Sequence, residues 1–291
     1  MERIPYTDGE YQAVCDFLIR LNRDDSLHLN WNWARFEWMM EHPAFDKSLR
    51  SSIGLWRSER RIVGAAIYDM YFGEAFCAVL PGYERLYPEI LEDAFRRLRD
   101  EAGLAVAICE ESPREIEAAR SLGFQPADRT ETLMRLSLER ALPAVLPEGF
   151  SLVACDPERT DAKALAWMFW RGFDHGEDRT AFEADYAGAP GAVWRPHQKR
   201  ELCLLALDRD GEYAACAFVW LHPGTDYAYV EPVCTVPIWR NRGLAGALLS
   251  LALNRARELG AKSALVLSDL PFYEKLGFRK ERRYRFYSRN S

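Results

Sequence analysis

At 291 residues the chain has the length of two domains of about 150 residues each. Hydrophobic residues make up 48% and aromatic residues 13%, which supports large cores and excludes a disordered chain. A net charge of −6 argues against nucleic acid as the main partner. No apolar run approaches the roughly 20 residues a bilayer span needs, and the first residues lack the apolar core of a signal peptide.

The cysteines (Cys15, Cys77, Cys109, Cys155, Cys203, Cys216 and Cys234) are odd in number, scattered, and form no Cys-x-x-Cys pair. Neither a disulfide framework nor a zinc site is expected, and the five lone histidines add no metal-ligand spacing. A cytoplasmic protein without metal and without a membrane partner is the expectation.

In chain order, a helix is predicted over 10–21, followed by an aromatic segment over 28–45 that carries Trp31, Trp33 and Trp38. Strands are expected over 52–56, 61–68 and 74–80, a helix over 87–100 ending before Gly103, and a strand over 104–109. A short helix over 113–121 leads into Leu122, Gly123 and Phe124, and a strand over 131–138 closes the half. Residues 141–150, with two prolines and a glycine, read as a linker. The second half repeats the order: strand over 151–154, helix over 161–171, an irregular stretch, then strands over 201–207 and 213–221. A buried strand follows over 230–236, then a long helix stopped by Gly260, a strand over 263–267, and a last strand after Leu276, Gly277 and Phe278. The two Leu-Gly-Phe triplets stand about 154 residues apart, which fits a duplicated unit divided as residues 1–143 and 144–291. The fold class expected is α/β with a mixed sheet.

Between the buried strand and the long helix stand Pro237, Arg240, Asn241, Arg242, Gly243, Leu244, Ala245 and Gly246. A helix start leaves backbone N–H groups unpaired and carries about half a positive charge, so it binds phosphate oxygens. A ligand comes close only where no Cβ intervenes, which suits Gly243, Ala245 and Gly246, and Arg242 adds charge and donors. A diphosphate fits this chemistry.

The segment resembles the coenzyme A-binding motif of the GNAT superfamily of N-acetyltransferases, [Arg/Gln]-x-x-Gly-x-[Gly/Ala], whose places Arg240, Gly243 and Ala245 fill. With the duplication, the chain resembles a tandem GNAT protein, the likeness being strong over 229–278 and weaker before 140. The resemblance implies two tandem GNAT folds, acetyl-coenzyme A as cofactor, and backbone donors to its pantetheine near Cys234, Thr235 and Val236. It also makes Tyr273 the candidate general acid, since an ordinary phenol is protonated at neutral pH. The Asn common a couple of turns earlier in the family is replaced by a short connection in which Ser268 is the substitute contact. Glu231, on the central strand, is the candidate base, with Asp174 and His175 as rivals that could also line the acceptor pocket.

Trp31 and Trp33 have two readings, aromatic faces for a flat or cationic acceptor or interface packing. If Pro81 matches Pro237, Tyr87 falls opposite Gly243 and Glu84 opposite Arg240, so the first copy is expected to have lost its cofactor site. The reading is an acetyl-coenzyme A-dependent N-acetyltransferase that acts on a small-molecule amine by direct attack. Transfer of a longer acyl or an aminoacyl group, or a non-catalytic acyl-coenzyme A sensor, stays open, as does a homodimer in which another copy completes the sheet after Phe278.

Overall fold

The computed structural model describes residues 1–24, 26–42, 45–188 and 197–291. The first half runs β1 (Glu2–Pro5), α1 (Tyr11–Asp24), α2 (Trp33–Met40), β2 (Gly54–Ser58), β3 (Arg61–Asp69), β4 (Tyr71–Val79), α3 (Tyr87–Leu98), β5 (Gly103–Cys109), α4 (Pro113–Ser121) and β6 (Gln125–Ser137). The second runs β7 (Ser151–Ala154), α5 (Ala162–Gly172), α6 (Arg179–Gly188), β8 (Cys203–Leu207), β9 (Tyr213–Trp220), β10 (Tyr227–Thr235), α7 (Leu244–Glu258), β11 (Ser263–Leu267), α8 (Pro271–Lys275) and β12 (Arg279–Asn290). The duplicated order is therefore real at the level of elements. The linker over 141–150 carries no helix or strand.

Three elements are added to the sequence reading: β1 at the start, α2 within the aromatic segment, and α6 in part of the stretch expected to be irregular. Asp178 opens α6 by accepting from the amides of Thr180 (2.8 Å) and Ala181 (3.2 Å), and Phe182 packs on Trp167 and Trp170.

All twelve described strands join one sheet in the order β1-β2-β3-β4-β5-β12-β6-β11-β10-β9-β8-β7. The two halves exchange their last strands. β6 lies beside β11, with Leu133 to Ser137 opposite Leu267 to Ser263, while β12 lies beside β5, with Tyr284 opposite Cys109. The region after Phe278 forms β12, which lies between β5 and β6 of the same chain.

Cores follow the same exchange. Tyr284, Phe286 and Tyr287 of β12 join the first half's core, and Met134 and Leu136 of β6 join the second's. Helices cover both faces of the second-half sheet: α7 packs through Leu244, Leu248, Ala252 and Leu253 on one side, and α5 through Leu165 and Met168 on the other. Strands buried on both faces read as continuous apolar runs such as 203–207, which is why they were visible in the sequence. All seven cysteines are buried and free. Among the described residues, no helix is long and apolar enough to cross a membrane.

Candidate active site

Among the described residues, the second half's only parallel pair opens part-way along its length. β10 pairs with β11 at Tyr227, Ala228 and Tyr229, against Ser263, Ala264 and Leu265, and no further. β10 then bulges between Val230 and Val233 and runs on to Thr235, leaving a notch between the two strands. α7 begins at the mouth of this notch.

Gly243 caps α7 with φ +83°, a left-handed conformation in which a side chain would be strained, and no side chain caps the helix start. Asn241 is left-handed too (φ 62°), so the loop turns sharply and leaves Gly243 exposed. The first helical bond runs from the Ala247 amide to the Gly243 carbonyl (2.9 Å). The half-buried Ala245 and Gly246 lie within that first turn, where amides precede the helical ladder. Arg242, exposed, stacks over Trp239 at 4.7 Å and brings positive charge to the loop. These residues fit a diphosphate: an uncapped helix start, no Cβ at the loop's glycine, and a free-standing cation.

Arg240 has a different place from Arg242. Its Nε donates to the Thr235 carbonyl (3.0 Å), its Nη2 to the Gly172 carbonyl (3.0 Å), and the guanidinium pairs with Asp174 (2.8 Å). It ties the end of β10 to the end of α5 and holds the loop in position. Asp174, a candidate base from the sequence, is thereby occupied in an exposed ion pair, and His175 is exposed against Trp170.

The three expected pantetheine donors divide. The Val236 amide donates to the Ala214 carbonyl of the neighbouring segment (2.9 Å). Amides alternate sides along a strand, so the Cys234 amide faces β9, while those of Thr235 and Val233 face the notch. Val233 was not singled out in the sequence because the bulge that sets this parity has no signature there. Cys234 is buried against Gly172, where a Cβ would stand 2.6 Å from its Sγ, so α5 lies close on β10.

Tyr273 lies close enough to Glu231 of β10 to feel its charge. Tyr273 belongs to the core on the α7 side, packs edge-on against Phe272 and Phe278, and is 8% exposed. Burial, then the charge of Glu231 and the neighbouring Cys216, push its phenol above the ordinary value, so it holds its proton. Glu231 is half-buried, and its Oε2 accepts from the Tyr229 hydroxyl at 3.0 Å. Burial raises its carboxyl above the usual carboxylate range, opposed by Arg35 and the Tyr229 hydrogen bond. Ser268 sits at the β11 end of the opening, its amide on the Thr132 carbonyl (2.9 Å) and its Oγ accepting from the Leu270 amide (3.2 Å).

Arg35 comes from the first half and was invisible as a neighbour in the sequence. Its guanidinium bonds Glu131 (3.1 Å), Asp69 (3.1 Å) and the Asn30 carbonyl (3.0 Å), stacked over Trp31 and Phe76. Trp31, 2% exposed, stacks on Phe76 at 4.0 Å, and Trp33, 1% exposed, meets Trp220 edge-on at 6.0 Å. Trp33 therefore packs between the halves, while Trp31 packs within the first half on Phe76 and Arg35, and both rings are buried. Among the described residues no group of three or more His, Cys, Asp or Glu could hold a metal ion.

A mixed sheet whose parallel pair opens beside an uncapped glycine-started helix is the fold of the GNAT acetyltransferases. Residues 162–278, within the second half, match the acetyltransferase (GNAT) family model. A tandem GNAT protein from the clavulanic acid biosynthesis pathway superposes with a TM-score of 0.64 at 19% identity, over 99% of this chain and 98% of its own. A GCN5-related N-acetyltransferase from Sphaerobacter thermophilus gives 0.55 at 18%, over 99% and 95%. An acetyltransferase of the GNAT family from Colwellia psychrerythraea gives 0.57 at 13%, over 99% of both chains. No curated protein matches the sequence. The family carries out acetyl transfer from acetyl-coenzyme A, and the likeness to solved structures shows the fold, in tandem.

Proposed function

We propose that the second half transfers an acetyl group from acetyl-coenzyme A to the primary amine of a small molecule, by direct attack within a ternary complex. The observation that carries this reading is the parallel pair that opens at the β10 bulge beside the uncapped start of α7 at Gly243.

The α7 start and Arg242 hold the diphosphate by backbone N–H groups and charge. The Thr235 and Val233 amides face the pantetheine arm and the thioester carbonyl, where a fixed donor stabilises developing negative charge. Glu231, as carboxylate, takes the proton that the attacking nitrogen loses. Tyr273 gives its proton to the sulfur as the carbon–sulfur bond breaks, leaving free thiol and an amide. Arg240 positions the loop without touching substrate. No enzyme nucleophile takes part: the nearest thiol, Cys234, is buried with its Sγ 3.6 Å from that of Cys216. α2 of the first half packs across β10, so the acceptor meets a wall contributed by the other half.

Turnover is read as thiol release from acetyl-coenzyme A across a panel of primary amines. Tyr273→Phe should lower kcat roughly a hundredfold with acetyl-coenzyme A affinity intact, the lower end of what a general acid contributes. Cofactor binding with no amine turned over, and no effect of Tyr273→Phe, would make the protein an acyl-coenzyme A-binding module instead.

A further inference from the structure

The first half keeps a cavity at the place that corresponds to the second half's notch. β4 and β5 pair in parallel only at Glu74 and Ala75, against Ala105 and Val106. Beyond them a cavity of about 270 Å³ opens between the end of β4 and the starts of α3 and α4. This is near the small end of the ~300–1,000 Å³ usual for small-molecule sites.

Its chemistry differs from that of the second half. Where α7 is capped by the bare Gly243, α3 is capped by Leu86 and begins at Tyr87, 3% exposed. Glu84 lines the cavity just before that helix start, its Oε1 accepting from the Gly82 amide at 2.9 Å. Glu115, 13% exposed at its side chain, accepts from or is paired with His28 Nε2 at 2.8 Å, and Glu111 is paired with Arg282. Three carboxylates and one arginine, Arg114, therefore line the cavity, while Leu27, Val79, Pro81 and Ala118 supply apolar wall. The Tyr87 hydroxyl, buried in that lining, has no hydrogen-bond partner. Buried hydroxyls are rarely left so, because water is lost and nothing replaces it.

We propose that this cavity binds a small organic ammonium with an apolar body, at a site separate from the second half's. The Tyr87 oxygen and the Glu84 and Glu115 carboxylates take the ammonium hydrogens, and the body lies along Val79 and Ala118. An anion of the same shape meets carboxylates, and coenzyme A meets both the carboxylates and the Tyr87 ring.

Calorimetric titration of the full chain with 2-phenylethylammonium tests the assignment, with 3-phenylpropionate as the anionic counterpart. The ammonium should bind one per chain and the anion should give no heat. Tyr87→Phe should weaken binding about three- to tenfold, the worth of one hydrogen bond. Ala118→Trp, which fills the cavity from a partly exposed position, should abolish ammonium binding and leave acetyl-coenzyme A binding unchanged. Glu231→Gln should leave ammonium binding unchanged, which separates the site from any acceptor site in the second half. No heat with the ammonium, equal binding of the anion, or binding that survives Ala118→Trp or is unmoved by Tyr87→Phe would overturn the proposal.

Discussion

Glu231 shows how a proposed proton acceptor and a stability cost can be one residue. Burial raises its carboxyl above the ordinary range, Arg35 and the Tyr229 hydroxyl work against that, and Asp69 and Glu131 add to it. A raised carboxyl binds its proton more tightly in the folded chain than in the unfolded one. The penalty on folding is therefore absent below the ordinary carboxylate pKa, grows as pH rises, and is complete above the raised value. Glu231→Gln should accordingly stabilise the protein at neutral pH, with the gain vanishing in acid, as thermal melts across pH would show. The same variant should lose the acidic limb of the kcat/KM profile, because the proton acceptor is no longer a titrating group. A stability gain that persists unchanged into acid would mean that the carboxylate is not penalised by burial. Tyr273 and Gly243 stand out residue by residue because each sits in a local motif, which makes them candidates from the sequence alone. The Arg35 contribution does not, since nothing local in the sequence links it to β10.

At the scale of elements, helices and buried strands were legible and their partners were not. The apolar periodicity of α7 and the unbroken runs of β3 and β8 fixed their type, while α6 was hidden because its apolar contacts rest on one buried ring, Phe182. Exchange of β6 and β12 was also illegible: either strand has the alternation to pair with its own half or the other. It has a mechanical consequence. Residues 1–143 expressed alone would offer β6 with no β11 to join and would leave β5 without β12; residues 144–291 would be incomplete in the complementary way. Each half alone should fail to give a cooperative monomeric melt, and mixing the two should restore one, readable by circular dichroism and light scattering. Two halves that each fold as stable monomers would show that the exchanged strands are dispensable.

Over the whole molecule, one fold is used twice with different chemistry at the corresponding places. The second half caps its helix with Gly243, with Arg242 beside it; the first caps its helix with Leu86, between Glu84 and the buried Tyr87. Charge and space together allow a diphosphate at one and oppose it at the other. The first half meanwhile supplies α2 as cover for β10 and β6 as the neighbour of β11 in the shared sheet, so the second half depends on it structurally. The central claim is one acetyl-coenzyme A site per chain, at the α7 start. Calorimetric titration of the full chain with acetyl-coenzyme A, beside Gly243→Glu, measures it directly. The account predicts one-to-one binding that the variant abolishes, through a side chain and a negative charge placed at the left-handed cap. Two sites per chain, or binding that survives in Gly243→Glu, would contradict it.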